Sequence, residues 1–181
     1  MLDRNRPAPE QPEKSVAASF GMNLVVVSLE AREGSSPLAL LRGDMSSAGF
    51  GPYRNMFMNY PGLKARVRTA DRRPSLLIKS SASLEGGRYF IAKLDPDQDD
   101  RVRSLKISSA KSGLQAVFGG SDRGLIAPDP DWVVLFEAVE ESPGLWRVSP
   151  KQDLKPGEYG WYVSFNAGGP QASGLFDFGV D

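Results

Sequence analysis

Cysteine and histidine are both missing from this 181-residue chain, and each absence closes off chemistry. Without a thiol there is no disulfide, no zinc–thiolate site and no cysteine nucleophile. Without imidazole there is no Ser-His-Asp or Cys-His machinery, no histidine metal ligand and no histidine pH switch. Carboxylate, lysine, tyrosine and carboxylate–metal chemistry stay open. The lack of cysteine fits a reducing cytosol and a disulfide-free exported protein equally well. No apolar run reaches the ~20 residues of a membrane helix, and long helical periodicity appears nowhere. Net charge is lacking too, with 22 basic residues against 22 acidic ones. That removes any global pull toward nucleic acid, which is not expected as a partner.

The balance conceals a gradient. Residues 1–93 carry fourteen Lys and Arg against eight Asp and Glu, and the ratio inverts over 94–181. Oppositely charged halves would assist self-association through an exposed edge strand. The start of the chain, Met1 to Lys14, sets Pro7, Pro9 and Pro12 among polar residues and cannot bury much surface. Residues 1–20 are therefore expected to be a tail or linker and 21–181 one domain, a size typical of a single core. The start also lacks the apolar stretch of a secretory signal. Either the protein stays in the cytoplasm, or the chain is a trimmed form of a periplasmic or secreted one.

With 40% hydrophobic residues and a mean hydropathy of −0.32, there is material for a core. The pattern is that of short strands. Val25, Val27 and Leu29 alternate with Val26, Ser28 and Glu30. A brief strand is expected at Met56–Asn59, then strands at Lys64–Thr69, Ser75–Ser80 and Arg88–Leu94. In Arg101–Ser108 the alternation is imperfect, and a bulge or a start near Ser104 would repair it. Trp132–Ala138 should form a hairpin with Leu145–Ser149 across Ser142-Pro143-Gly144. Tyr159–Asn166 and Leu175–Val180 complete the set. Nine or ten short strands separated by turn signals describe an all-β protein, a two-sheet sandwich of immunoglobulin-like character.

The most specific local signal is Leu154, then Pro156-Gly157, then Tyr159. At this spacing in immunoglobulin-like sandwiches the tyrosine hydroxyl bonds back to nearby backbone and fixes a crossover, which makes Tyr159 architectural rather than catalytic. Pro156-Gly157-Glu158-Tyr159 and the closing Phe176-Asp177-Phe178-Gly179-Val180 resemble the ending of a group of uncharacterised bacterial proteins, many of them exported. The likeness covers about the last quarter of the chain. It implies a β fold and carries no activity. A kinase reading of Asp177-Phe178-Gly179 fails, because no glycine loop or lysine strand precedes it.

Asp95, Asp97 and Asp99, with Asp100 beside them, look like half of a calcium loop. Asp100 stands where the tight turn wants glycine and Lys106 where a bidentate glutamate belongs, so a solvated acidic hairpin is the expectation. Lys64, Arg66 and Arg68 fall on one face of their expected strand, with Arg72 and Arg73 just beyond. They are candidates for anion binding, or charges that keep an edge from pairing. Trp132, Trp146 and Trp161, with Tyr162 and Phe165, serve either as a sugar platform or as core, and Trp161 is assigned to core. Gly119-Gly120-Ser121 lacks the lysine and helix of a phosphate loop, and no cofactor is expected.

The functional expectation is a non-catalytic binding or structural module with a protein or polysaccharide partner. The alternative is a hydrolase or lyase acting through carboxylates, drawn from Glu137, Glu140, Glu141, Asp153 and Glu158.

Overall fold

The structure is a computed structural model and describes residues 18–20, 23–32, 34–49, 55–80, 84, 89–109, 126–164 and 173–181. The expected tail lies outside these as far as residue 17. So do the turn at Glu85-Gly86-Gly87, the glycines at 119, 120 and 124, and Phe165.

Among the described residues the chain is nearly all strand: β1 Ala18–Phe20, β2 Asn23–Ala31, β3 Gly34–Pro37, β4 Leu40–Leu41, β5 Asp44–Ala48, β6 Asn55–Pro61, β7 Arg68–Thr69, β8 Ser75–Ser80, β9 Tyr89–Asp97, β10 Val102–Ser109, β11 Ile126–Pro128, β12 Val133–Val134, β13 Phe136–Ser142, β14 Leu145–Pro150, β15 Gly157–Ser164 and β16 Ser173–Val180. One sheet runs β1-β2-β8-β14-β13, with β3 against β2. The other runs β4-β16-β15-β9-β10-β6-β5, with β7, β11 and β12 attached to β16, β10 and β9. The β7–β16 pair is parallel. Strands from the basic and acidic halves interleave, since β8 lies between β2 and β14.

Alternation explains the first sheet. Val25, Val27 and Leu29 of β2 face Leu76 and Ile78 of β8 in register and are buried, while Val26, Ser28 and Glu30 are half-buried. The second sheet differs because β9, β15 and β16 bury both faces. Tyr89, Ile91, Tyr159, Trp161, Val163, Phe176 and Phe178 join Val25, Ile78 and Val148 of the first sheet in one core. Phe90, Ala92, Leu94, Tyr162 and Leu175 point the other way and meet Met58, Tyr60, Leu105 and Ile107 in a second core. The second sheet therefore curls over its own far face. Strand β9 is the pivot: Tyr89–Leu94 pair with β15, and Asp95–Asp97 pair with β10.

Trp161 is core, as expected. It stacks on Tyr89 at 5.7 Å between centroids and meets Phe136 edge-on at 5.3 Å. Tyr162 is fully buried as well, in the second core. Trp146 packs partly against the first core and Trp132 partly against the second.

Three strand expectations are corrected. Lys64–Thr69 is extended only at Arg68–Thr69. Gly62 turns the chain at φ +84, and the Ala65 N–H is taken by a glutamate side chain instead of a ladder carbonyl. In β10 the register against β6 is continuous from Val102 to Ile107. Arg103 simply faces inward with Leu105 and Ile107, and it is only 2% exposed; a buried charge, not a bulge, broke the alternation. Trp132–Ala138 is not one strand. A 3-10 turn at Pro130–Trp132 leads into β12 on the second sheet, and after Leu135 the chain crosses to β13 on the first. The β13–β14 hairpin forms as expected, turning through Gly144 at φ +76.

Candidate functional site

Tyr159 makes its corner. Its hydroxyl donates to the Lys155 carbonyl at 2.8 Å, and Leu154 is buried, its N–H donating to the Arg72 carbonyl at 2.7 Å. Burial raises the Tyr159 pKa above its ordinary value, against the smaller lowering effect of the Lys155 bond.

The residues flanking that corner assemble a buried ionic cluster. Glu158, 4% exposed, accepts from Ala65 N at 2.6 Å and Arg68 Nη1 at 2.5 Å, with Arg103 Nη1 at 3.4 Å. Arg103 also donates to Asp177 Oδ2 at 2.6 Å and to the carbonyls of Gly62 and Pro61 at 3.0 and 3.2 Å. Arg68 reaches Asp181 Oδ1 through Nε at 2.8 Å. Hydrogen bonds to Asp181 first and Glu158 second hold its guanidinium above its ordinary pKa, against the lowering effect of burial. This guanidinium lies directly over Gly179, where a Cβ would collide with it. The residues of the two terminal motifs, Glu158, Asp177 and Gly179, thus converge on one cluster. Every cation in it is matched by a carboxylate, which is what burial of charge requires. It joins β7 and β10 to the β15–β16 hairpin and is architectural.

The five anion-binding candidates are accordingly divided. Arg68 is committed to the cluster, while Lys64 and Arg66 are exposed on irregular backbone. Arg72 and Arg73 line an open cavity of about 500 Å³ together with Arg32, Asp71 and Asp153. Arg73 donates to the Lys151 carbonyl at 3.0 Å and pairs with Asp153 at 3.4 Å.

The carboxylates suggested for catalysis do not gather. Glu158 is in the cluster, Glu141 pairs with Arg147, Glu140 accepts from Gly144 N at 2.9 Å, and Glu137 is exposed on β13. The acidic hairpin is a capped turn: Asp97 Oδ1 accepts from Asp99 N at 3.0 Å and Asp100 N at 3.3 Å, and Arg101 completes the turn at φ +54. Among the described residues no three carboxylates come together as a metal cage, and no helix is long and apolar enough to cross a membrane.

A larger concavity than the Arg32–Arg72–Arg73 one lies elsewhere, on the outer face of β5, β6, β10 and the end of β9. It is an open groove of about 710 Å³, within the usual range of small-molecule sites. Phe57 and Trp132, both half-buried, contribute aromatic surface, and Asp95, Asp97 and Asp100, with the neutral Gln98 between them, form an exposed rim. A polar ladder crosses three strands between them. Ser104 Oγ donates to Asn59 Oδ1 at 2.9 Å, and Asn59 Nδ2 donates to Ser46 Oγ at 2.8 Å. Lys106 Nζ is held by Asp129 at 3.1 Å. Sequence reasoning missed Phe57 and Asn59 as lining residues, although Asn55, Phe57 and Asn59 alternating with Met56, Met58 and Tyr60 is the signal of one wet face and one buried face.

No protein-family model, curated protein or solved structure matches the chain.

Proposed function

We propose that this chain is a non-catalytic binding module on an immunoglobulin-like sandwich, with the groove on β5, β6, β10 and β9 as its recognition face. The strand order supports the scaffold. In chain order β2, β8, β9, β13, β14, β15 and β16 match strands A to G, with A-B-E-D in one sheet and C-F-G in the other. Tyr159 sits at the start of the strand equivalent to F. Two residues on, Trp161 occupies the place of a cysteine in antibody domains, and its indole packs on Tyr89 and Phe136. Two insertions, β3–β7 and β10–β12, build the extension that carries the groove.

The carrying observation is the juxtaposition of two aromatic side chains with a fixed Ser46–Asn59–Ser104 ladder in one groove. A chain without histidine or cysteine supplies recognition there more readily than general acid–base chemistry. Depletion of the protein from solution by insoluble glucan, chitin, xylan and heparin beads, alongside a reducing-end assay, tests the proposal. Retention that Phe57→Ala and Trp132→Ala reduce, with no new reducing ends, is expected. Release of reducing ends that Asp95→Asn or Asp97→Asn abolishes would establish a carboxylate hydrolase or lyase instead.

A further inference from the structure

We infer that the groove takes a neutral or amine-bearing saccharide chain. This rests on the reading of the groove as the recognition face and adds the chemistry of the ligand. Charge is the first constraint. Asp95, Asp97 and Asp100 face the groove, and the lining cation, Lys106, is already bound to Asp129 at 3.1 Å. A negative field repels uronate, sulfate and phosphate groups, which disfavours acidic polysaccharides and nucleic acids and favours ligands without charge or with ammonium groups.

Hydrogen-bonding capacity is the second constraint. The Asn59 amide is oriented from both ends, because it receives Ser104 Oγ–H and donates to Ser46 Oγ. The second Asn59 Nδ2–H is thereby fixed in direction, while the rotatable Ser46 hydroxyl hydrogen and further serine lone pairs add adaptable donors and acceptors. Hydroxyl groups, which both donate and accept, match this mixed set, whereas Asp95 accepts only and suits a hydroxyl or an ammonium. Shape is the third constraint. Phe57 and Trp132 contribute half-buried aromatic side chains to the lining beside the ladder, and pyranose rings pair one apolar face with a hydroxyl-bearing rim. Four strands at about 4.8 Å spacing give a face roughly 14 Å across, room for about two or three sugar rings.

Calorimetric titration of the full chain with laminarihexaose, N-acetylchitohexaose, a glucosamine hexamer and a polygalacturonate hexamer tests the inference. Binding of a neutral or amine-bearing hexamer is expected, weakened about tenfold by Trp132→Ala. Binding of the glucosamine hexamer should weaken similarly in Asp95→Asn, a change at an exposed position that leaves packing untouched. Preference for polygalacturonate, still sensitive to Trp132→Ala, would overturn the ligand class while leaving the groove as the recognition face. Saccharide binding indifferent to Trp132→Ala and Asp95→Asn would overturn the assignment of the groove itself. Absence of heat with all four hexamers, for a protein with an intact β-type circular dichroism spectrum, would overturn the saccharide inference.

Discussion

Adding one methyl group at Gly179 should destabilise this protein only because Arg68 lies over it. Within a strand, alanine is favoured over glycine by about 0.5–1 kcal/mol through the entropy of the unfolded chain. Against that, a Cβ at residue 179 collides with the Arg68 guanidinium. Arg68 is the flexible end of a long side chain that is 24% exposed, so it can swing toward solvent. Doing so forfeits its bonds to Glu158 and Asp181 and leaves Glu158 with Ala65 N–H and Arg103 alone. Hydrogen bonds to charged groups contribute about 1.5–3 kcal/mol, and partial exposure of Arg68 favours the lower part of that range. Gly179→Ala is therefore expected to cost about 1–2 kcal/mol net, a fall in Tm of roughly 2–8 °C for a chain of this size. In an Arg68→Met background the collision is gone, and the same Gly179→Ala change should be neutral or stabilising by up to about 1 kcal/mol. The coupling, about 1–3 kcal/mol, is read from urea unfolding of the four proteins of the cycle, followed by tryptophan fluorescence. An equal cost of Gly179→Ala in both backgrounds would refute the reasoning.

Burial separates two other arginines: Arg103→Met should cost about 3–5 kcal/mol by stranding buried carboxylates, and Arg147→Met, at the surface between Glu141 and Glu30, less than about 1 kcal/mol. Equal losses in thermal unfolding would contradict the cluster's role. The buried Tyr60 hydroxyl has no hydrogen-bond partner among the described residues, so Tyr60→Phe is expected to raise stability at neutral pH by about 1–3 kcal/mol. Burial, and secondarily Tyr162, push the Tyr60 pKa well above the usual tyrosine value. Above about pH 10 the unfolded chain loses this proton while the folded one keeps it. Stability should then fall as pH rises toward the folded pKa, by up to about 1.4 kcal/mol per pH unit for this group. Tyr60→Phe should remove that slope, and an unchanged alkaline limb in urea titrations would refute the assignment. If the Arg32–Arg72–Arg73 cavity retains anions, Arg32→Ser with Arg72→Ser should lower the salt needed to elute from heparin without changing the unfolding midpoint; unchanged elution would exclude it.

Period two is written directly in Val25 to Glu30 and made that strand legible, whereas the same alternation in Lys64 to Thr69 belongs to largely irregular backbone. Where both faces are buried, as at Tyr89–Ala92 and Gly160–Val163, alternation vanishes, and the curl that buries the second face depends on contacts with β6 and β10 far along the chain. Arg103 illustrates the same limit in reverse. A charge at an inward position looks like a register fault until Glu158, Asp177 and the Gly62 carbonyl are seen around it. The tyrosine corner was legible because its geometry is local, four residues from hydroxyl to carbonyl. The groove was not, because it is assembled from side chains on four strands separated by up to about half the chain.

The claim on which the functional account turns is that recognition occurs on the β5–β6–β10 face. Amide and indole chemical shifts of the ¹⁵N-labelled protein, followed during titration with laminarihexaose and with a glucosamine hexamer, test it most directly. The account predicts perturbations at residues 55–59, 95–100 and 104–106 and at the Trp132 indole. Perturbations centred on Arg72, Arg73 and Asp153, or none at the groove at saturating hexamer, would contradict it.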